Sequence, residues 1–475
     1  MAKLWENIKY VLINQVLVVV LPLLTSPYLA RVLGIEGIGL NASLNINVAL
    51  FMTISLLSIP IYGVREISKC KSEEERSEVF FSIYKIQLIM HLIIFVSFLL
   101  FITFFSEHFY LFLLQGIALI SALLNVNWFF NGKMEAKRIA MRNTGIRVVS
   151  VLLIFSFVHQ PQHLYRLILI NVLTSLMGEL IMWIPLIKEL DFNKVNTQSY
   201  KKHIYPIFIS FLPFLFINIY TKLNASILGF RAGDIELGFY SQANNIIQMI
   251  LGFVFSVNIV LLPKMAKSFS EDSEEVLRSK ITKNFQLVFL ISFLIILVFN
   301  LTSKSFVLIM FGEEFLPTSL LLRVFTFKIL LMGLSNIMGK QILIAKGNEM
   351  KFAFSAFCGM FVSLPLNIFL ISYMGAMGTV IAVLTAEIVV VTIQFFFTNS
   401  FLDKKRILFD FFKYFSIALT TFVIVLFLSY QITDIPIIRL LIQSLLAGTF
   451  YLAFLLAIKD SFLMNILMSL KVQKK

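Results

Sequence analysis

Charge is scarce in this 475-residue chain: Asp, Glu, Lys and Arg make up 14% of it, where a soluble globular domain carries about a quarter. With 59% hydrophobic residues and a mean hydropathy of +0.90, that scarcity excludes an ordinary water-soluble fold. Cysteine is nearly absent. Cys70 and Cys358 fall in an expected loop and an expected membrane span, so no disulfide framework is implied. There are five histidines. Two of them, His159 and His163, stand four apart around Pro161 in a short polar loop, which reads more readily as a loop than as a metal pair. No histidine or carboxylate pair has the look of a catalytic cluster, and no glycine-rich phosphate loop with its lysine appears. The chain is therefore expected not to be an enzyme, and to need no metal and no cofactor.

What is present is long apolar runs, each near the roughly 20 residues that cross a bilayer. Fourteen spans are expected, at approximately 10–30, 40–64, 79–105, 109–130, 143–158, 164–187, 206–230, 237–262, 284–302, 317–344, 352–373, 376–400, 410–430 and 436–458. The fold class is all-α: a polytopic membrane protein with about 14 transmembrane helices. The first run follows Lys3 and Lys9 like a signal sequence, but it is too long for one and is read as retained.

The net charge of +14 is explained by topology. If both termini are cytoplasmic, thirty of the forty Lys and Arg lie on that side when charges in a span's end turn, such as Lys340 and Lys413, are counted with the nearer loop. Five lie opposite (Arg31, Arg166, Arg231, Lys304, Arg439) and five inside spans (Lys85, Arg147, Lys222, Arg323, Lys328). Such asymmetry is the positive-inside pattern, so no nucleic-acid partner is expected. The charged loops 65–78 and 264–283 mix signs at helical spacing, as solvated helices do.

The chain also repeats itself. With Gly39 set over Gly238, LGIEGIGLNASLNI (33–46) lies against AGDIELGFYSQANN (232–245). VLTSLMGELIMWI (172–184) likewise aligns with VIAVLTAEIVVVT (380–392), placing Glu179 on Glu387. Six spans separate the copies, so both insert in the same direction as parallel repeats, and a path between them is one recurrent transporter design. The expected organisation is an N-terminal six-helix bundle (1–190), a linker (191–205), a C-terminal six-helix bundle (206–401), and two further helices with a tail (402–475).

Polar groups in such spans are costly unless they face protein or water. Candidates lie on the first helix (Asn14, Gln15, Thr25, Ser26) and the second (Asn41, Ser43, Asn45, Asn47). Others lie on the seventh (Asn218, Thr221, Lys222, Asn224) and the eighth (Gln242, Asn244, Asn245, Gln248, Asn258). Lys328 and Glu387 each stand about 11 residues, ~17 Å, from the outer ends of their helices and are expected to pair. Glu179 is expected to pair with Lys85 or Arg147. Pro22, Pro27, Pro213 and Pro365 interrupt helices and are the expected places for bends.

Several stretches resemble the polysaccharide and oligosaccharide flippases of the multidrug/oligosaccharidyl-lipid/polysaccharide exporter superfamily. In the first half they are ARVLGIEGIG (30–39), YGVREISK (62–69) and WFFNGKMEAKRIAMRN (128–143). In the second they are LLPKMAKSF (261–269), FGEEF (311–315), GKQILIAKGNEMKF (339–352) and GAMGTVIAVLTAE (375–387). The resemblance implies a multi-pass protein of the bacterial inner membrane with a fold like the multidrug exporters. Two bundles would face a central cavity and move undecaprenyl-diphosphate-linked sugar repeats outward by alternating access. Its expected partners are that lipid-linked oligosaccharide, the phospholipid bilayer, and a polysaccharide polymerase with other assembly proteins. The expected substrate-binding set is Arg31, Asn45, Asn218, Lys222, Asn224, Arg231, Asn244 and Asn245. A lipid II flippase or a multidrug cation antiporter of the same fold stays open as an alternative. The antiporter would want a cavity rich in carboxylates, whereas this polar set is neutral apart from its cations.

Overall fold

The computed structural model describes residues 2–191, 200–256, 265, 268–269, 271–429 and 435–472. Regular structure among them is helical throughout. Among the described residues, ten segments are long and apolar enough to cross a membrane. Two of these, Val16–Lys69 and Glu349–Phe401, each hold two of the expected spans. The helix Lys201–Ser256 holds the seventh and the described part of the eighth. Most of the expected linker, residues 192–199, lies outside the described residues.

The long helices break at glycine. Gly34 has φ 68°, ψ −179°, and Gly233 has φ 84°, ψ 176°. That backbone region is essentially closed to residues with a Cβ. The two positions are 199 residues apart, the same offset that superposes Gly39 on Gly238. The repeat is thus one of backbone conformation as well as of sequence. Gly375 breaks Glu349–Thr398 in the same way, at φ 53°. By contrast, Pro22, Pro27 and Pro365 sit inside helix whose dihedrals stay helical; the side chain of Pro213 is outside the described residues. A missing amide softens a membrane helix without necessarily breaking it.

The chain falls into two compact units, residues 1–238 and 239–475. In the first unit, two stretches that carry the family resemblance pack on each other. Gly63 of Ile59–Lys69 lies under Trp128, where a Cβ would come within 2.5 Å of the indole. Trp128 in turn stacks on Phe80 at 5.4 Å. The break between the short helices Ile117–Leu123 and Asn127–Gly132 strands several carbonyls that bulk lipid could not satisfy. Gln87 donates to three of them, Ala122 (3.3 Å), Leu123 (2.8 Å) and Asn125 (3.1 Å), and the Trp183 indole donates to a fourth, Leu124, at 2.8 Å. The acid-rich stretch after Lys71 is the solvated first turn of Glu73–Phe105, capped by Ser72 accepting from Glu75 N at 3.1 Å.

Glu179 is buried and paired, though with neither Lys85 nor Arg147. Its partner is Arg142, at 3.0 Å, and both side chains are at most 10% exposed. Asn125 and Asn127 donate to the same carboxylate at 3.3 and 3.4 Å. The charge pattern places Arg142 in a loop, but its helix starts earlier, at Ala136. Lys85 instead lies over the Tyr200 ring at 4.4 Å. Losing one partner of a buried pair typically costs about 3–5 kcal/mol, whereas replacing both with apolar groups is often neutral. Arg142→Met is therefore expected to lower the thermal unfolding midpoint of the purified protein sharply, and Arg142→Met/Glu179→Met to recover most of the loss. Equal losses in the single and double variants would dismiss the pairing.

The second unit is built on Glu274–Met310, whose buried Phe285, Phe289 and Phe293 meet the last two long helices, Lys404–Leu428 and Pro436–Ala457. Tyr414 and Tyr451 of that pair are wholly buried in this core. A short helix, Ser461–Val472, follows. Asp460, just before it, receives Lys413 Nζ at 2.6 Å and the Tyr414 hydroxyl at 3.2 Å.

Candidate functional site: a polar seam in the first unit

A run of polar contacts crosses the first unit. Residues 35–62 run antiparallel to residues 203–238 and are joined by polar contacts at successive levels. Nearest the glycine turns, Gly39 and Gly238 permit backbone contact: a Cβ on Gly39 would sit 1.7 Å from the Asp234 carbonyl oxygen, and one on Gly238 would sit 2.8 Å from that of Ile35. Asp234 and Ile35 are themselves 199 residues apart, so each copy's glycine receives the other copy's turn. Next, Ser226 donates to Asn47 Oδ1 at 2.6 Å. Lys222 Nζ donates to Thr53 Oγ1 at 2.9 Å and to the Ala49 carbonyl at 3.4 Å. At the far end Ser58 donates to the Ile207 carbonyl at 2.6 Å, and Tyr62 is hydrogen-bonded to His203 Nδ1 at 2.7 Å.

The amides of the second helix hold one another. Asn47 donates to the Ser43 carbonyl at 2.8 Å. Asn45 donates to Asn41 O at 2.8 Å and accepts from Gln115 at 2.8 Å. Of the expected substrate-binding residues, Lys222 is on the seam, bonded to neutral oxygens, and Asn224, two positions on, is fully buried. Asn218 is half-buried, while Asn45, Arg31 and Arg231 are exposed. In the second unit Asn244 is half-buried and Asn245 exposed. The side chains of Asn14 and Gln15, and residue Asn258, lie outside the described residues.

Thr53, Ser226, Tyr62, His203 and Gln115 were not foreseen as part of the seam. Of these, Gln115 carried the plainest signal, an amide inside an apolar run. Among the other charged candidates, Lys328 is 2% exposed and lies over the Phe325 ring at 4.9 Å, and Glu387 is likewise buried. His159 and His163 are engaged in hydrogen bonds: Tyr28 meets His159 Nδ1 at 2.9 Å, and the backbone N–H of His159 donates to His163 Nδ1 at 3.1 Å.

A membrane protein helical throughout its described residues, with the same glycine break in both copies of a repeated unit and a seam bridged by an amide, hydroxyls and a lysine, fits the polytopic transporter class. More narrowly, the chain belongs to the polysaccharide biosynthesis protein family, whose model matches residues 4–269. It is 22% identical over 378 residues to a protein of Shigella dysenteriae described as "Putative O-antigen transporter", a match covering 78% of this chain and 93% of that one. Its fold is similar to that of a lipid II flippase, MurJ, in an inward closed conformation. The TM-score is 0.70 at 15% identity, over 95% of this chain and 99% of that one. It is also similar to an inward-facing multidrug resistance transporter of the MATE family in the MOP superfamily. There the TM-score is 0.62 at 14% identity, over 80% and 94% of the two chains.

Proposed function

We propose that this protein flips undecaprenyl-diphosphate-linked oligosaccharide repeat units across the bacterial cytoplasmic membrane, by alternating access of two six-helix bundles, for cell-surface polysaccharide synthesis. The observation that carries this reading beyond family membership is Lys222. It is a partly buried cation whose hydrogen-bond partners are a hydroxyl and a carbonyl, so its positive charge stays available to an anionic head group. Moving a diphosphate and a glycan through hydrocarbon without such groups is prohibitive, because each polar group loses water without replacement. A cation antiporter would place a carboxylate there instead. Arg31 and Arg231, near the glycine breaks, extend the positive field. Asn45, Asn218, Asn224, Asn244 and Asn245 are assigned to the glycan. The Lys328–Glu387 pair is assigned to charge neutralisation inside the second repeat, and the family's polymerase to the receiving side.

The test is reconstitution in liposomes carrying lipid-linked oligosaccharide, with the outer leaflet read by an added glycosidase or lectin. Protein-dependent appearance of the sugar supports the reading. Transport of lipid II in preference to the oligosaccharide, or of organic cations with neither, replaces it.

Both termini are assigned to the cytoplasm on the charge asymmetry. In a protein whose Cys70 and Cys358 are replaced by serine, a cysteine at Gln162 is expected to react with an impermeant thiol reagent in intact cells. One at Glu274 is expected to react only after lysis. Labelling at Glu274 from outside reverses the orientation.

A further inference from the structure

The N-terminal parts of Glu274–Met310, Lys404–Leu428 and Ser461–Val472 border an open cavity of about 750 Å³ in the second unit. Five cations line it, Arg278, Lys283, Lys404, Lys405 and Arg406, against two acids, Glu275 and Asp403. Asp403 is already occupied, accepting from the backbone N–H of Arg406 at 3.2 Å as its helix cap. Arg278 is tied to the Ser400 carbonyl at 3.0 Å, and Arg406 to Asp410 at 3.3 Å. Among the described residues, Lys283, Lys404 and Lys405 make no ion pair.

The transport seam uses none of this, and a concentration of positive charge on one cavity calls for an anion. What selects the anion is the adjoining surface. One turn beyond the lysines, the same helix presents Leu408, Phe409 and Phe412, exposed by 59%, 61% and 55%, as a bilayer-facing side. Leu402 and Phe462 continue the apolar wall inside the cavity. A phosphate beside lipid-facing aromatics is the chemistry of a phospholipid, and basic recesses between membrane helices hold such head groups. We propose that this cavity seats the phosphate of an anionic phospholipid, its acyl chains lying along Leu408, Phe409 and Phe412. The inference is independent of the transported substrate.

The experiment uses the purified full-length chain in detergent, titrated with phosphatidylglycerol, phosphatidylcholine or inorganic phosphate, with binding counted by native mass spectrometry and stability read as a thermal midpoint. Phosphatidylglycerol is expected to bind and raise the midpoint by several degrees, and phosphatidylcholine and inorganic phosphate are not. Lys283→Ala/Lys404→Ala/Lys405→Ala should weaken phosphatidylglycerol about a hundredfold, each cation near a membrane surface being worth roughly a factor of five. Lys404→Arg/Lys405→Arg should keep parental binding. The replaced lysines are exposed, so folding should survive; Lys201→Ala/Lys202→Ala, in the first unit, controls for lost charge as such. Parental phosphatidylglycerol binding by the triple variant overturns the site. Equal stabilisation by inorganic phosphate overturns the lipid in favour of a soluble anion.

Discussion

Gly39→Ala is expected to reach the membrane at parental abundance and to transport at background level. The added Cβ would lie 1.7 Å from the Asp234 carbonyl oxygen, whereas carbon makes comfortable contact at about 3.5 Å. The obstructing atom is backbone, which cannot rotate aside, so the two turns must part by about 2 Å. Interiors at crystal-like density do not absorb that. A transport cycle that brings these turns together would lose that conformation. Gly238→Ala should be milder, because the nearest atoms are the flexible Ile35 side chain at 2.7 Å and its carbonyl oxygen at 2.8 Å. Gly145→Ala, with nothing within 4 Å, should be silent. Flipping rate and abundance are measured for all three. Parental flipping by Gly39→Ala would show that closure of the turns is not needed, and parallel loss of abundance would make the contact a folding requirement only.

Lys222→Glu should abolish flipping at unchanged abundance, Lys222→Ala should reduce it about ten- to hundredfold, and Lys222→Arg should keep part of it. Hydrogen bonds to charged groups are worth about 1.5–3 kcal/mol, which sets the middle figure, and repulsion of the diphosphate deepens the loss for Glu. The structure supplies a control, since Lys222 also bonds Thr53. Thr53→Val removes that bond and leaves the charge, so a substrate role predicts near-parental flipping. If Thr53→Val is as damaging as Lys222→Ala, Lys222 acts as a bolt between helices. If Lys222→Glu flips normally, the residue is off the path.

Much of the architecture was readable because membrane helices announce themselves by length and apolarity, and because the glycine breaks recur at one offset. The repeat aligns Gly34 with Gly233, but nothing in the sequence singles either out as a break. Hydropathy carries no record of which helices touch. The partners of Glu179 illustrate this: Arg142 looked like a loop residue because apolar runs start later than the helices that carry them. Proline was expected to mark bends inside spans, whereas the non-helical dihedrals fall between spans at Gly34, Gly233 and Gly375, with φ of 68°, 84° and 53°, a region that glycine enters at little cost. Of the candidate site, the residue types on the second and seventh helices were legible. Their pairing was not, because Asn47 and Ser226 are 179 residues apart.

Four hydrogen-bonded levels of the seam, at Asn47, Thr53, Ser58 and Tyr62, have a thermal consequence. Bonds of this kind between membrane helices average about 0.6 kcal/mol, since water or other partners stand in when they break. Together they amount to roughly 2–2.5 kcal/mol, a population ratio of about fifty. Links of this kind alone would leave a seam shut most of the time yet open in a few per cent of molecules. Being made of separate levels, it can also come undone stepwise, without a single high barrier.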